Sequence, residues 1–237
     1  MNRLIKADLK RIVVKPTVYI VGLIMVILVL TRTASDTSSD QVNFYKAFFN
    51  NVGLIFISIP IFLSVYSDEI KSGIMVSIIG MGMDRKKVVL SKLEDALVLY
   101  GVTYLLLYIT ALIKNAMSGL PVTPRQNAFL FLFCVFCVIR GIGIMALASL
   151  VLFLTFSASG GMLILIVAGA AGAGLLSYIQ DNTSIPLYDI SYIGLLDKAF
   201  ADFQNGSFGV TLLPALLYLV AVIALNIITF DRKEMDL

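Results

Sequence analysis

The sequence has no histidine, and only 14% of its 237 residues are charged. The missing histidine removes the usual ligands of metalloproteases and of most metal-dependent membrane hydrolases. An intramembrane aspartyl protease would need two acids within apolar segments, and here the acids lie at segment ends and in connections. The low charge, together with 59% hydrophobic residues, indicates an integral membrane protein rather than a soluble globular domain.

The sequence also lacks a phosphate-binding loop of the form G-x-x-x-x-G-K-[ST], so we expect that this chain binds neither ATP nor another cofactor itself. Its net charge of +3 is too small to indicate a surface for nucleic acid. The two cysteines, Cys134 and Cys137, lie in the apolar run FLFLFCVFCVIR. Because redox and metal-binding cysteines need a polar, accessible setting, we interpret both as buried structural residues.

Long apolar segments separated by short polar breaks predict a single all-α transmembrane domain over residues 1–237. A helix needs about 20 apolar residues to cross a hydrocarbon core of roughly 30 Å. The predicted spans, with approximate bounds, are 16–31, 51–66, 96–113, 128–156, 162–178 and 210–230. Pro16 occupies a helix start, which tolerates proline, whereas Pro60 predicts a kink within the second span.

The distribution of Lys and Arg predicts the orientation of the spans, because cytoplasmic loops carry an excess of these residues. With both termini in the cytoplasm, twelve of the eighteen lie in inner segments, five lie in outer ones and Arg140 lies within a span. We therefore expect a multi-pass protein of the cell membrane with both ends in the cytoplasm. The outer connection at 179–209 is too apolar for a free linker and predicts short helices at or dipping into the outer interface.

The first fifteen residues, MNRLIKADLKRIVVK, predict an amphipathic helix that lies flat on the inner membrane surface. Apolar side chains recur at helical spacing on one side and basic side chains gather on the other: Ile5, Leu9, Ile12 and Val13 against Arg3, Lys6 and Lys10. The alternative interpretation is a basic anchor that only fixes the orientation of the first span.

The connection at 67–92 combines blocks of charge with the apolar stretch IKSGIMVSIIGMGM. That stretch can pack against another surface but is too short to cross the bilayer. Glu69 is placed near the start of a predicted helix, and Gly80 and Gly82 are natural helix terminators. The pattern predicts a short helix, a glycine turn and a basic helical run that enters the third span. The segment is either a docking element for a cytoplasmic partner or a solvated loop whose cations fix topology.

At these residues the chain resembles the membrane subunits of ABC transporters of the ABC-2 type. That family has an amphipathic N-terminal helix, six spans, and a first cytoplasmic loop with E-x-x-x-G followed by R-x-x-[IV]-[IV]-x-x-K. Six residues match this loop: Glu69, Gly73, Arg85, Val88, Val89 and Lys92. The C-terminal FDRKEMDL resembles the tail that often closes these subunits, whereas Met83 and Asp84 stand where the family often has a proline.

The resemblance implies that the short loop helix is a coupling helix seated in a separate cytoplasmic ATPase, with Glu69, Gly73, Arg85 and Lys92 at the coupling site. It further implies two permease subunits, identical or similar, and two ATPase copies that bind ATP and Mg²⁺. Such subunits occur in bacteria and export peptides, antibiotics, bacteriocins or other amphipathic molecules. The alternatives are a stand-alone secondary transporter or channel, or a regulatory membrane protein that transports nothing.

Arg140 interrupts a run of about 29 apolar residues. As one helix this run would be strongly tilted, and otherwise it would be broken at Gly141 and Gly143. An arginine inside a span either lines a transport pathway or bonds structurally to neighbouring groups. Both interpretations of Arg140 are compatible with the sequence.

The fifth span contains two pairs of small residues, Gly169 with Ala173 and Ala170 with Gly174. Small residues at this spacing let helix backbones approach closely within lipid. They predict close packing of this span, either within the subunit or across the dimer that the family resemblance implies.

Overall fold

The computed structural model describes residues 16–31, 38–119, 123–183, 185–204 and 210–232. These residues form nine helices and no strand, which confirms the all-α class. The predicted interfacial helix at 1–15 and the last residues of the predicted tail, 233–237, lie outside the described part of the chain.

The helices follow one another with short connections. In chain order they are α1 (Pro16–Thr31), α2 (38–71), α3 (Ile74–Gly80), α4 (Arg85–Met117), α5 (Pro124–Thr155), α6 (Ala158–Thr183), α7 (Leu187–Ile190), α8 (Tyr192–Gln204) and α9 (Leu212–Arg232). Three π-helical turns interrupt regular α-helix, two in α2 and one in α6: Phe48–Gly53, Leu63–Ser67 and Val167–Ala171. Pro60 lies between the two π-helical turns of α2, and a proline inside a helix removes one backbone hydrogen bond.

Five of these helices, α2, α4, α5, α6 and α9, are long and apolar enough to cross a membrane. They correspond to the second to sixth predicted spans, and α2, α4, α5 and α6 are longer than predicted. The first predicted span corresponds to α1, whose 16 residues measure about 24 Å as a helix. The predicted layout is thus confirmed for five spans, while the described part of α1 is a shorter apolar helix.

Hydrogen bonds at both ends of the bundle show which helix ends lie next to each other. At one end Lys114 Nζ, late in α4, donates to the carbonyl oxygen of Leu30 in α1 at 2.8 Å. At the other end Arg85, the first residue of α4, donates through Nη1 to the carbonyl oxygen of Asp231 in α9 at 2.9 Å. We call the end with Arg85 the α3 end. The opposite end, with Lys114 and the helices α7 and α8, is the α8 end.

Helix α5 is the centre of the bundle and packs against α2, α4, α6, α8 and α9. It runs unbroken through Gly141 and Gly143, so of the two predicted alternatives, a tilted helix and a broken one, the break is absent. The glycines instead make room for aromatic rings: a Cβ on Gly141 would meet the ring of Tyr100, and one on Gly143 would overlap the ring of Tyr192. The sequence RGIG therefore serves close packing on two faces of a continuous helix.

Buried hydroxyl groups tie α4 to α2. Tyr100 donates to Ser58 Oγ at 2.6 Å, and Tyr104 donates to the carbonyl oxygen of Phe49 at 3.1 Å. Phe49 lies in the first π-helical turn, where the regular ladder of α2 changes its spacing. Both tyrosines thus bring a polar atom into an apolar core together with its hydrogen-bond partner.

The connection between α6 and α9 turns back into the bundle. At the start of α8, Tyr192 donates its hydroxyl to the carbonyl oxygen of Ile139 at 2.6 Å. Ile139 lies about 22 Å along α5 from Pro124 at 1.5 Å per residue. Further along α8, the ring of Phe200 packs on Phe129, closer to the α8 end. The predicted short helices are therefore present, and α8 begins deep in the bundle and rises towards the α8 end.

Candidate functional site

Helix α3 is a short helix between two glycines in left-handed backbone conformations. Gly73 has a φ of 67° and Gly82 a φ of 87°, a region that favours glycine. Met75 is buried, whereas Ile74 is 38% and Met81 is 79% exposed. The predicted short helix and glycine turn are confirmed, and they leave apolar side chains at the surface.

A buried ion pair closes the base of this loop. Lys92 Nζ lies 2.5 Å from Glu69 Oε1 and 3.9 Å from Asp95 Oδ2, and none of the three side chains is more than 1% exposed. The expectation that Glu69 stands near the start of the loop helix is wrong. It lies in the last turn of α2, because the loop helix begins only after Gly73.

The ion pair joins the two helices on either side of α3. Glu69 belongs to the end of α2, and Lys92 lies in the third turn of α4. The two chain segments that flank α3 are thereby bonded to each other. Because Glu69 and Lys92 are buried, neither side chain lies at the surface of the α3 end.

Arg85 connects the same end of α4 to α9. Its Nη1 donates to the carbonyl oxygens of Phe230 at 3.3 Å and Asp231 at 2.9 Å, in the last turn of α9. A cation at this position also interacts favourably with the negative end of the helix dipole. One residue earlier, the side chain of Asp84 accepts a hydrogen bond from the backbone N–H of Lys86 and caps α4.

A second polar cluster surrounds Arg140, about halfway along α5. Arg140 Nη1 donates to Asn50 Oδ1 at 2.8 Å and to Asp197 Oδ1 at 3.0 Å, and the arginine is 8% exposed. Tyr188 donates to the other carboxylate oxygen, Oδ2, at 2.6 Å. Burial, followed by the hydrogen bond to Asp197, raises the pKa of Tyr188 to about 12, so Tyr188 remains a donor at neutral pH.

An open cleft leads from the surface to this cluster. Its walls come from α2, α5 and α8, it has a volume of about 390 Å³, and Lys46 and Asp197 are among its lining residues. Beneath it, a pocket of about 20 Å³ is lined by Arg140 and Cys137 among others. The ammonium group of Lys46 lies 5.2 Å and 5.5 Å from the ring centroids of Phe129 and Phe200, a geometry of cation–π contacts.

The cysteines are confirmed as packed residues, since Cys134 and Cys137 are both free thiols and both buried. Across the described ranges there is no group of three or more His, Cys, Asp or Glu residues that could hold a metal ion.

The small residues of α6 do not act as one stripe. Gly169 lies in a π-helical turn and faces Ile55 of α2, whose Cγ1 would be 3.6 Å from a Cβ on the glycine. A Cβ on Gly174 would have no neighbour within 4 Å. Gly169 therefore packs within the subunit, while Gly174 has open space beside it and the predicted dimer contact stays a prediction.

Four residues of these clusters do not follow from sequence motifs: Asn50, Asp95, Tyr188 and Asp197. Asp95 carries a usable signal, because it follows Lys92 by three residues on a predicted helix. Asn50 and Asp197 are separated from Arg140 by 90 and 57 residues, so only the folded chain brings them to it.

In comparisons with known proteins, the chain matches no protein-family model, no curated protein and no solved structure.

Proposed function

We propose that this chain is the membrane-spanning subunit of an ATP-driven exporter of the ABC-2 type, with α3 as the element that receives motion from a separate ATPase. The observation that carries the proposal is the construction of the α3 end. The short helix and the turn after it expose Ile74 and Met81, and the two flanking helices are joined to each other through Lys92 and Glu69.

This construction suits a coupling element in two ways. The exposed apolar side chains offer a small contact surface that an ATPase groove can cover. The buried ion pair and the contact from Arg85 to α9 bind α2, α4 and α9 at one level of the bundle. Movement of α3 is therefore expected to shift three membrane helices together rather than one loop.

The proposal includes the orientation and the partners that the family resemblance implies. The α3 end and both chain termini face the cytoplasm of a bacterial cell, and two permease subunits work with two ATPase copies that bind ATP and Mg²⁺. The chain itself is not an enzyme in this proposal. The cargo is an amphipathic molecule such as a peptide, an antibiotic or a bacteriocin.

The proposal is tested by co-expressing the chain with candidate ATPase subunits and measuring co-purification. The double variant Ile74→Glu/Met81→Glu is expected to lose about tenfold or more of the bound ATPase, because it places charge in an apolar contact. The matched control is Met117→Glu, since Met117 is 75% exposed and lies at the opposite end of α4. If the control loses as much ATPase as the double variant, or if no ATPase associates at all, the proposal fails.

A stand-alone secondary transporter is the second candidate, and one observation favours it. The ion pair of Arg140 and Asp197 lies beside the deep end of a helix that turns back into the bundle, an arrangement found around transporter binding sites. Transport by reconstituted chain without any ATPase would support this candidate. Transport that requires ATP and a copurified ATPase would exclude it.

A further inference from the structure

We propose that the cleft between α2, α5 and α8 binds an anionic amphiphile, whose acidic group lies between Lys46 and Arg140. Its apolar part lies against Phe133 and Phe200. The cleft is at the opposite end of the bundle from α3, so binding there does not depend on an ATPase partner.

The cleft and the pocket beneath it form one continuous site. They share four of their lining residues, Asn50, Phe133, Asp197 and Phe200, so the outer cleft of about 390 Å³ adjoins the inner pocket of about 20 Å³. A volume of roughly 10–15 Å³ accommodates a water-sized group. The inner pocket can therefore take an oxygen of a small polar group, while the outer cleft takes the body of a larger molecule.

The charges of the site favour an anion. Among the lining residues, Lys46 and Arg140 are cationic and Asp197 is anionic, which leaves a net charge of +1. Arg140 Nε is buried and has no hydrogen-bond partner within the described ranges. Burying such a donor without an acceptor is unfavourable, and an anionic oxygen bound at the guanidinium group would provide one.

The depth of the site favours an amphiphile over a small hydrated anion. Along α5, Phe133 lies about 14 Å and Arg140 about 24 Å from Pro124 at 1.5 Å per residue. The whole helix measures about 48 Å, so a centred hydrocarbon core of roughly 30 Å includes both residues. A small ion would have to leave water for this depth, whereas an amphiphile places its apolar part in the membrane.

The two sides of the cleft match the two parts of such a molecule. Asn43, Lys46 and Asn50 recur at spacings of three and four residues on one face of α2 and supply polar groups. Phe133 and Phe200 supply an apolar wall from α5 and α8, and their ring centroids are 5.0 Å apart. Asp197 lies between the two parts and competes with the ligand for Arg140, so it lowers the affinity for anions.

The test uses the full-length chain in nanodiscs of phosphatidylcholine, a lipid without net charge, and three probes with the same apolar tail: dodecanoate, dodecyltrimethylammonium and dodecanol. We expect dodecanoate to bind at least about tenfold more tightly than the other two. Lys46→Gln should weaken dodecanoate binding by about tenfold, and Asp197→Asn should tighten it. Arg125→Gln removes an exposed cation from α5, the helix of Arg140, outside the cleft and should change nothing.

The direction of the Asp197 effect separates a binding site from a structural cluster. Asparagine keeps an acceptor for Arg140, so the fold is expected to survive, and unfolding temperatures of the variants verify this. Equal binding of the anionic and cationic probes, or weaker dodecanoate binding by a folded Asp197→Asn variant, would overturn the proposal. So would a loss of binding in Arg125→Gln as large as that in Lys46→Gln.

Discussion

Replacing Lys92 by methionine is expected to lower the free energy of unfolding by about 3–5 kcal/mol. The variant removes the cation that faces both Glu69 and Asp95, and all three side chains are at most 1% exposed. Two buried carboxylates would then lose this cation, and removing one partner from a buried ion pair is costly. Unfolding of the purified protein in detergent, followed by heat or denaturant against the unchanged chain, measures the effect.

Replacing Glu69 is expected to lower the free energy of unfolding less than replacing Lys92. Glu69→Gln is expected to cost less, about 1–2 kcal/mol, because Lys92 still faces the carboxylate of Asp95. Lys87→Met is the matched control, since Lys87 is an exposed lysine on the same helix and its loss should change stability by less than about 0.5 kcal/mol. A Lys92→Met variant as stable as Lys87→Met would contradict the account of the ion pair.

Replacing Gly143 by alanine is expected to destabilise the protein by about 1–3 kcal/mol. The added Cβ would overlap the ring of Tyr192, and that ring cannot swing aside without losing its hydrogen bond to the carbonyl oxygen of Ile139. The start of α8 should therefore move away from α5. Hydrogen–deuterium exchange is expected to become faster in α8, at Tyr192–Gln204, than in the unchanged chain.

Gly101→Ala is the matched control for this prediction. Gly101 also lies inside a long helix, α4, but a Cβ there meets no atom within 4 Å. Because alanine favours helix over glycine, this variant should be neutral or up to about 1 kcal/mol more stable. The double variant Gly143→Ala/Tyr192→Ala should recover normal packing of the α5 backbone. If Gly143→Ala behaves like Gly101→Ala, α8 does not pack where the structure places it.

The sequence is sufficient to predict the helices and the α3 loop because their signals are local. Helices α4, α5, α6 and α9 each follow from one continuous apolar stretch of sequence. Gly73 and Gly82 predict turns because glycine adopts left-handed backbone conformations without strain. The boundaries are less well predicted. Helix α4 unites the predicted basic helical run with the predicted third span. Helix α6, however, begins four residues before its predicted span at 162–178 and ends five residues after it.

The polar clusters bring together residues that are far apart in the sequence, so no local pattern predicts their contacts. Glu69 and Lys92 are 23 residues apart, and each alone resembles an ordinary loop charge. Arg140 is recognisable by its apolar surroundings, but its partners Asn50 and Asp197 come from a π-helical turn and from a helix that re-enters the bundle. These contacts follow from tertiary packing, so the sequence indicates Glu69, Lys92 and Arg140 as candidates but does not show which residues they contact.

The most direct measurement of the coupling role is photo-crosslinking from α3 in cells that produce the protein natively. A photo-reactive amino acid replaces Met81 in one variant and Met117 in another, since these methionines are 79% and 75% exposed. Met81 lies in the turn between α3 and the start of α4, and Met117 is the last residue of α4. The account predicts a crosslink from position 81, and none from position 117, to an ATPase subunit that mass spectrometry identifies by its phosphate-binding loop. An ATPase crosslinked at neither position, or equally at both, would contradict it.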